Sequence, residues 1–240
     1  ILKRLQEFNV RHIEITDEGS HALNTQRIKS LKKVAETHDL DFVIHAPFAG
    51  INIAVPTSVL RRTVMKRLKK SILHAGKLDC RLWLFHPGLK TGVSHFYPGT
   101  DWQLNLESVR DLLKIAKKED VKIAIENVPE PYPFIMKSVQ DFSRFYNELG
   151  DDIGMVLDVA HANLNHQIQD FVRQFPEKIV HIHVSDNDGA RDLHLGIGYG
   201  TIDWEAVAKE IKKAEYNNLI MLESIEYVEE SLKKLQKLFS

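Results

Sequence analysis

Histidines and carboxylates are the residues of this sequence whose types and spacing could do chemistry. The chain has twelve histidines, and several stand where a short apolar run ends. Six polar side chains share that position: His45, His86, Glu126, Asp158, His183 and Glu223. The residue two places earlier is apolar in all of these runs except one, where it is His181. Because alternate strand residues face the same side, each polar side chain would cap an apolar face.

Side chains of this kind, if they converge, predict a metal site. A single histidine or glutamate at a strand end is more often an ordinary hydrogen-bonding residue. Six together would repel one another and lose hydration, which a bound cation relieves. His161, three residues after Asp158, and Asp192 with His194, after the run 179–184, add further ligand types. Histidine with carboxylates and without cysteine suits a divalent ion.

The apolar runs themselves predict strands that alternate with amphipathic helices. The strands are expected at 12–16, 42–46, 82–86, 121–126, 154–159, 179–184 and 219–224. The helices are expected near 24–37, 57–77, 104–118, 138–149, 166–174, 203–214 and 228–238. Nearly all-apolar strands that alternate with helices predict an α/β fold with a parallel sheet covered by helices.

Seven strands are one fewer than a (β/α)8 TIM barrel needs. Residues 2–8 have a helical pattern with no strand before them, so we expect a barrel that lacks its first β-strand in this chain. The alternative is a doubly wound open sheet, but no glycine-rich phosphate fingerprint follows any predicted strand. No linker or repeat interrupts the pattern, so residues 1–240 are predicted to form a single domain. Functional side chains of such barrels gather at the carboxyl ends of the strands.

Composition excludes several classes of function. The chain has 240 residues, 43% of them hydrophobic and 27% charged, with a net charge of −1. This balance gives no support to a general attraction for nucleic acid or anionic lipid. No apolar run is long enough to cross a membrane. The single cysteine, Cys80, excludes a disulfide framework and a cysteine zinc site, and it favours a cytoplasmic location.

Several motifs, in order along nearly the whole chain, resemble one family. They are IHAPF at 44–48, FHPG at 85–88, IENVPE at 125–130, LDVAHAN at 157–163, HIHVSDNDG at 181–189, DLHLGIGYGTIDW at 192–204 and LES at 222–224. The chain resembles the xylose isomerase-like TIM-barrel superfamily, also known as AP endonuclease family 2. This superfamily holds sugar and sugar-phosphate isomerases and epimerases together with endonuclease IV. The resemblance implies a metal-dependent enzyme.

The isomerase and epimerase branch implies one divalent ion, Zn, Mn, Co or Mg. By resemblance its ligands would be Glu126, Asp158, His183 and Glu223. The ion would stabilise an enediolate, while Glu126 and Glu223 transfer the proton as base and acid. His161 would hold a substrate hydroxyl. The substrate would be a small sugar, sugar phosphate or polyol, which is the function we favour.

The endonuclease IV branch implies three zinc ions and cleavage of DNA at abasic sites. By resemblance all nine of its ligand types are matched, by His45, His86, Glu126, Asp158, His161, His183, Asp192, His194 and Glu223. The net charge of −1 opposes DNA binding. The basic run at 61–70 is better interpreted as a solvated helix face. An inactive relative is disfavoured, because none of these positions is lost.

A last set of residues is predicted to contact the substrate: Asn127, Asn163, Phe48, Arg191, Gly198 and Gly200. The asparagines could instead orient metal ligands. The glycines could bind a phosphate through their N–H groups or simply form tight turns. Ketose 3-epimerases of the resembling branch usually carry an arginine where this chain has Gly189, and Arg191 is only a neighbour of that position. The glycine at position 189 therefore argues against a ketose 3-epimerase activity.

Overall fold

The computed structural model describes residues 7, 8 and 10–240. The helix predicted over 2–8 lies outside the described residues except for its last two positions. The chain divides into two compact units, Ile1–Ala124 and Ile125–Ser240, and strand β4 crosses their boundary. Whether residues 1–240 form a single domain stays a prediction.

The first unit contains parallel strands that pair in sequence order. Strand β1 spans His12–Thr16, β2 spans Asp41–His45, β3 spans Leu82–Phe85, and β4, at the boundary, spans Ile123–Glu126. Strand β1 pairs with β2, and β2 pairs with β3. Helix α1 spans Thr25–His38, α2 spans Ser58–Lys77 and α3 spans Thr100–Lys118, with short 3-10 turns at Gly19–His21 and Gly92–His95.

The second unit repeats the same alternation. Strand β5 spans Gly154–Asp158, β6 spans Ile179–Val184 and β7 spans Leu219–Leu222. Strand β5 pairs in parallel with β6, and β6 with β7. The helices are α4 at Val139–Leu149, α5 at Val159–Leu164, α6 at Ile168–Gln174, α7 at Trp204–Lys213 and α8 at Val228–Phe239. Consecutive strands are therefore neighbours in each unit, as in a barrel, whereas a doubly wound sheet reverses its strand order.

The differences from the predicted elements are small and have local causes. Helix α3 begins at Thr100, four residues before the predicted start, directly after Gly99 in the left-handed conformation. Helix α5 was not predicted, because a six-residue helix is too short to show a period. Strands β3 and β7 end before His86 and Glu223, so both side chains lie on the loops that follow.

Local sequence signals explain where several helices begin. The Ser138 hydroxyl accepts a hydrogen bond from the N–H of Asp141, and the Asp141 carboxylate accepts one from the N–H of Ser138, which forms a capping box for α4. Asp203 caps α7, since its carboxylate accepts a hydrogen bond from the N–H of Ala206. Asn24 caps α1 in the same way, through the N–H of Arg27.

The first unit confirms that the basic run 61–70 lies on a helix face, and it also shows how Trp83 packs. Trp83 is fully buried, and its indole N–H donates a 3.0 Å hydrogen bond to the Ser71 hydroxyl of α2. The basic run 61–70 lies on α2 and presents Met65 and Leu68 to the core. Within it, Arg67 has a structural partner: its guanidinium binds the buried carboxylate of Asp17 at 3.0 Å. Among the described residues, no helix is long and apolar enough to cross a membrane.

Candidate metal centre

Four predicted ligands come together at the carboxyl ends of consecutive strands in the second unit. Glu126 and Asp158 are the last residues of β4 and β5, His183 is in β6, and Glu223 follows β7. One ligand atom from each lies within 4.8 Å of those of the other three. The Nδ1 atom of His183 lies 3.3 Å from Glu126 Oε1 and 3.2 Å from Glu223 Oε1. We call these four residues the carboxylate cluster.

Three further predicted ligands form a neighbouring group, which we call the histidine cluster: His161, Asp192 and His194. The Asp192 Oδ2 atom lies 3.4 Å from His161 Nε2 and 3.5 Å from His194 Nε2. Helix α5 positions His161, because Asp158 Oδ1 caps that helix by accepting a 2.7 Å hydrogen bond from the His161 N–H. Asp158 therefore belongs to one cluster and orients the other.

The excess of carboxylates controls the protonation of the imidazoles. Burial opposes protonation of His161, but the carboxylate of Asp158 and a hydrogen bond to Asp192 raise its pKa to about 10. The hydrogen bond to Asp192 raises the pKa of His194 to about 9. Burial raises the pKa of the Asp158 carboxyl. The two clusters therefore favour positive charge, whether it is carried by protons or by a cation.

The residues present fit divalent cations. Asp158 Oδ2 and Asp192 Oδ1 are buried, and no donor within the described part of the chain forms a hydrogen bond with either oxygen. Buried carboxylate oxygens without donors are costly unless a cation binds them. The carboxylate cluster offers three carboxylates and one imidazole, a set that suits Mn, Mg, Co or Zn. The histidine cluster offers two imidazoles and one carboxylate, typical zinc ligands.

Ligand tautomers are set by backbone carbonyls. His161 Nδ1 donates a 2.8 Å hydrogen bond to the carbonyl of Asn127, which directs its Nε2 toward Asp192. In the first unit, His45 Nδ1 donates a 2.8 Å hydrogen bond to the carbonyl of Ala46, so Nε2 is its ligand atom. A histidine that binds a metal through one ring nitrogen commonly donates a hydrogen bond from the other to a backbone carbonyl. The sequence-based role of His161, holding a substrate hydroxyl, does not fit an imidazole engaged at both nitrogens.

The other two predicted histidine ligands, His45 and His86, lie side by side in the first unit. Their ring centroids are 4.9 Å apart and the rings are perpendicular. Phe48, 46% exposed, packs against both rings, with centroid distances of 5.6 and 5.8 Å. The Glu18 carboxylate accepts hydrogen bonds from the N–H groups of Phe48 and Ala49 at 3.2 Å and holds this loop over the histidines. Glu18 gave no signal in the sequence.

The two predicted asparagines are engaged within the protein. The Asn127 side chain binds the backbone of Asp158 twice, accepting from its N–H at 2.7 Å and donating to its carbonyl at 3.0 Å. The Asn127 side chain therefore orients the end of β5, which carries the ligand Asp158. This agrees with the alternative interpretation, that the asparagines orient metal ligands, and gives no support to a contact between Asn127 and the substrate. Asn163 Nδ2 donates to Asn187 Oδ1 at 2.8 Å and joins α5 to the loop after β6.

Three more residues that were predicted to contact the substrate have close neighbours or partners within the protein. The N–H of Gly198, proposed as a phosphate donor, donates instead to the Asp186 carboxylate at 2.8 Å. A Cβ atom at Gly200 would lie 2.2 Å from the Asn187 carbonyl oxygen, so this glycine is required by close packing. The Arg191 guanidinium forms an exposed ion pair with Asp188 at 2.7 Å, so its charge is already engaged.

Asp186 is a second residue that sequence analysis missed. It is fully buried, and its two oxygens accept hydrogen bonds from four donors: the N–H groups of Asn187, Gly198 and Ile202 and the indole N–H of Trp204. Its backbone also pairs with Leu195 in an antiparallel bridge. Asp186 thereby closes the loop that carries Asp192 and His194. The sequence places Asp186 just after a predicted strand, but it does not show which groups donate hydrogen bonds to this carboxylate.

Comparison with known proteins agrees with this arrangement. A family model described as the xylose isomerase-like TIM barrel matches residues 2–238. The chain belongs to this family. Membership confirms the α/β TIM-barrel fold class and the resemblance seen in the motifs. The xylose isomerase-like family includes enzymes of different reaction types, so membership by itself does not decide the reaction.

Individual relatives carry names from both branches of the xylose isomerase-like family. The crystal structure of a D-tagatose 3-epimerase-like protein is similar, with a TM-score of 0.92 and 26% identity, covering 98% of this chain and 91% of that chain. An uncharacterized protein of Methanocaldococcus jannaschii is 26% identical over 227 residues, 93% of this chain and 78% of the relative. A probable endonuclease 4 of Acholeplasma laidlawii is 22% identical, over 88% of this chain and 73% of the relative.

Proposed function

We propose that this chain catalyses a divalent-metal-dependent isomerisation or epimerisation of a small sugar, sugar phosphate or polyol. The observation that carries the proposal is the convergence of two glutamate carboxylates on one imidazole. Glu126 and Glu223 each place an oxygen within 3.3 Å of His183 Nδ1. Two carboxylates at one centre can remove a proton from carbon and return it, which is the chemistry that such a reaction needs. The similarity to a D-tagatose 3-epimerase-like protein supports the same branch.

The two glutamates differ in their access to solvent, and therefore in whether a proton that they hold can exchange with water. Only 2% of the Glu126 side chain is exposed, against 23% for Glu223. A proton taken up by Glu223 can exchange with water, whereas one held by Glu126 is shielded. The carboxylate of one glutamate removes the proton from the substrate carbon, and the carboxyl of the other returns one to the opposite face.

A divalent cation held by Glu126, Asp158, His183 and Glu223 would polarise the carbonyl and hydroxyl oxygens of the sugar. The neighbouring residues keep this set in place. Asn127 secures the end of β5 through the Asp158 backbone. Burial of Glu126, Asp158 and His183 excludes water from the inner side of the cluster.

Replacing either glutamate by glutamine is expected to abolish proton exchange at carbon. Glu223→Gln and Glu126→Gln should each lower solvent-deuterium incorporation into the sugar by about 1,000-fold or more, because glutamine cannot accept the proton. Incorporation is measured by NMR in D2O with Mn2+, over ketoses including D-tagatose, aldoses, their phosphates and keto-inositols. Glu226→Gln, an exposed change beside the site, is the matched control and should retain parental rates. Failure of the parent to exchange any of these compounds would contradict the proposal.

A second candidate function is supported by the histidine cluster. His161, Asp192 and His194 hold zinc-type ligands that a single-ion isomerase does not need, and His45 and His86 are adjacent in the first unit. The similarity to a probable endonuclease 4 points in the same direction. The alternative is therefore a phosphodiesterase with up to three zinc ions that acts at abasic sites in DNA.

Elemental analysis of the purified protein separates the two candidates. About one Mn, Co or Mg ion per chain is expected for the isomerase, with the carboxylate cluster occupied. Close to three zinc ions, together with cleavage of a duplex oligonucleotide at an abasic site, would favour the phosphodiesterase. The His194→Ala variant provides the control. Its cleavage of the abasic oligonucleotide should be lost, whereas isomerase activity should remain, because only the phosphodiesterase should depend on the histidine cluster.

A further inference from the structure

Two stacked tyrosines form an exposed aromatic surface in the second unit. The rings of Tyr199 and Tyr227 lie 4.1 Å apart between centroids and within 10° of parallel. They remain 52% and 50% exposed, and Ile225 beside Tyr227 in the chain is 75% exposed. Burying apolar surface is favourable, so apolar residues exposed together commonly mark a binding surface. We call Tyr199 and Tyr227 the tyrosine platform.

The surrounding residues are arranged to allow this stacking. A Cβ atom at Gly196 would lie 2.9 Å from Tyr227 Cβ and 3.0 Å from the Tyr199 ring, so only glycine leaves room for both. Tyr227 adopts a left-handed conformation with φ of 53°, which costs a non-glycine residue roughly 1–2 kcal/mol. The Ser231 hydroxyl accepts a 2.9 Å hydrogen bond from the Ile197 N–H and ties the loop to α8. Strain kept in a well-fastened segment is typical of functional sites.

The tyrosine platform is carried by two loops that also carry members of the two clusters. Tyr227 follows Glu223 by four residues, so their Cα atoms are at most about 15 Å apart. Tyr199 follows His194 by five residues. The two loops are joined directly, since the Ile225 N–H donates a 3.0 Å hydrogen bond to the His194 carbonyl. A ligand longer than one sugar ring could therefore reach the carboxylate cluster and the platform together.

Polar groups at the edge of the platform indicate the chemistry of its ligand. The Tyr199 hydroxyl donates to Glu230 Oε2 at 3.3 Å, and the Lys234 ammonium lies where a side chain at Gly198 would be. The segment 223–230 carries four glutamates and no lysine or arginine. This negative charge opposes a polyanion such as DNA. Aromatic faces with a carboxylate and an ammonium beside them suit a neutral ring that has apolar C–H faces and a hydroxylated edge.

We propose that the tyrosine platform binds the second ring of a glycoside, so that the substrate is larger than a monosaccharide. The reacting ring lies at the carboxylate cluster, and the other ring packs its C–H face on the tyrosines while its hydroxyls meet Glu230 and Lys234. This inference rests on the proposed function for the identity of the reacting ring. Binding at the platform is nevertheless measurable without turnover.

The test follows the tyrosine rings directly. The full chain is labelled with 3-fluorotyrosine, and the 19F resonances of the two rings are assigned with Tyr199→Phe and Tyr227→Phe. Cellobiose, maltose, lactose and sucrose are titrated in turn, with D-glucose as the one-ring comparison. At least one disaccharide should shift both resonances saturably, and Tyr227→Ala should weaken its binding about tenfold. Gly196→Ala, which retains both rings but displaces them, should weaken it similarly. Tyr97→Ala, exposed in the first unit, should have no effect.

Three outcomes would overturn the inference. The first is the absence of a shift with all four disaccharides. The second is a shift produced only by adenosine 5′-monophosphate, which would indicate a nucleobase platform. The third is a shift on dilution without ligand, which would indicate contact between copies of the chain. Deuterium exchange into single-ring sugars with no tyrosine shift would leave the proposed function standing without the platform. Disaccharide binding without any exchange would leave the platform standing alone.

Discussion

Asp158→Asn is expected to abolish the stabilisation of this protein by Mn2+. For the parent, Mn2+ at 100 times its dissociation constant should raise the free energy of unfolding by about 2.7 kcal/mol, because the ion binds only the folded cluster. The variant loses a carboxylate ligand and should bind the ion at least about 100-fold more weakly. Thermal unfolding with Mn2+ and with a chelator measures the difference.

The same variant should still fold in the chelator, because two opposing effects of the Asp158 charge are lost together. Burial raises the pKa of the Asp158 carboxyl and so disfavours its charge, whereas attraction to protonated His161 favours it. Asparagine has the same shape and can still accept the hydrogen bond from the His161 N–H that caps α5. Asp203→Asn is the matched control, because it makes the same change at another helix cap, away from the clusters. Equal Mn2+ stabilisation of the Asp158 variant and the parent would contradict the assignment of this ligand.

The second large effect is expected at Gly200. A Cβ atom there would lie 2.2 Å from the Asn187 carbonyl oxygen and 2.3 Å from Asp186 Oδ1, so Gly200→Ala must displace a fully buried carboxylate. We expect the free energy of unfolding to fall by about 3 kcal/mol or more, in the range of severe overpacking. Gly92→Ala, where an added Cβ meets nothing within 4 Å, should change it by less than about 1 kcal/mol.

Asp186→Asn tests the same loop without adding an atom. The asparagine amide would face N–H donors where a carboxylate oxygen now accepts, and each lost buried hydrogen bond costs about 1–3 kcal/mol. Because Asp186 closes the loop that carries Asp192 and His194, Asp186→Asn should weaken the binding of added Zn2+ at the histidine cluster more than the binding of added Mn2+ at the carboxylate cluster. Denaturant unfolding and metal analysis on the same sample check both effects. An unchanged metal content with an intact fold would show that the loop does not depend on this carboxylate.

Much of the fold follows from the sequence because its signals are local. Short, nearly all-apolar runs predicted the seven described strands, and amphipathic stretches with a helical period predicted most of the helices. The predicted helices 138–149 and 203–214 begin at the residues that cap α4 and α7, Ser138 and Asp203, and a cap acts within one turn. Helix α5 was not predicted, because six residues are too few to show a helical period.

The sequence also determined which polar side chains stand at or just after the strand ends, whereas the set of four in the carboxylate cluster came from the resemblance to the family. Alternation along a strand and the common direction of parallel strands are sufficient to bring Glu126, Asp158 and His183 together. No knowledge of packing is needed for that conclusion. The motifs added the family, which the family model confirmed.

Only the tertiary structure decided how the polar groups divide among their partners. Asn127 had the chemistry to bind a substrate, yet its amide binds the Asp158 backbone 31 residues away. Gly198 could have donated to a phosphate, but its N–H donates to Asp186. His161 is three residues from Asp158 in sequence and accordingly contacts it, yet its ring also groups with Asp192 and His194, more than 30 residues away. A hydrogen-bonding group selects among all the partners that packing brings within about 3 Å, and residue spacing along the chain carries no information about that competition.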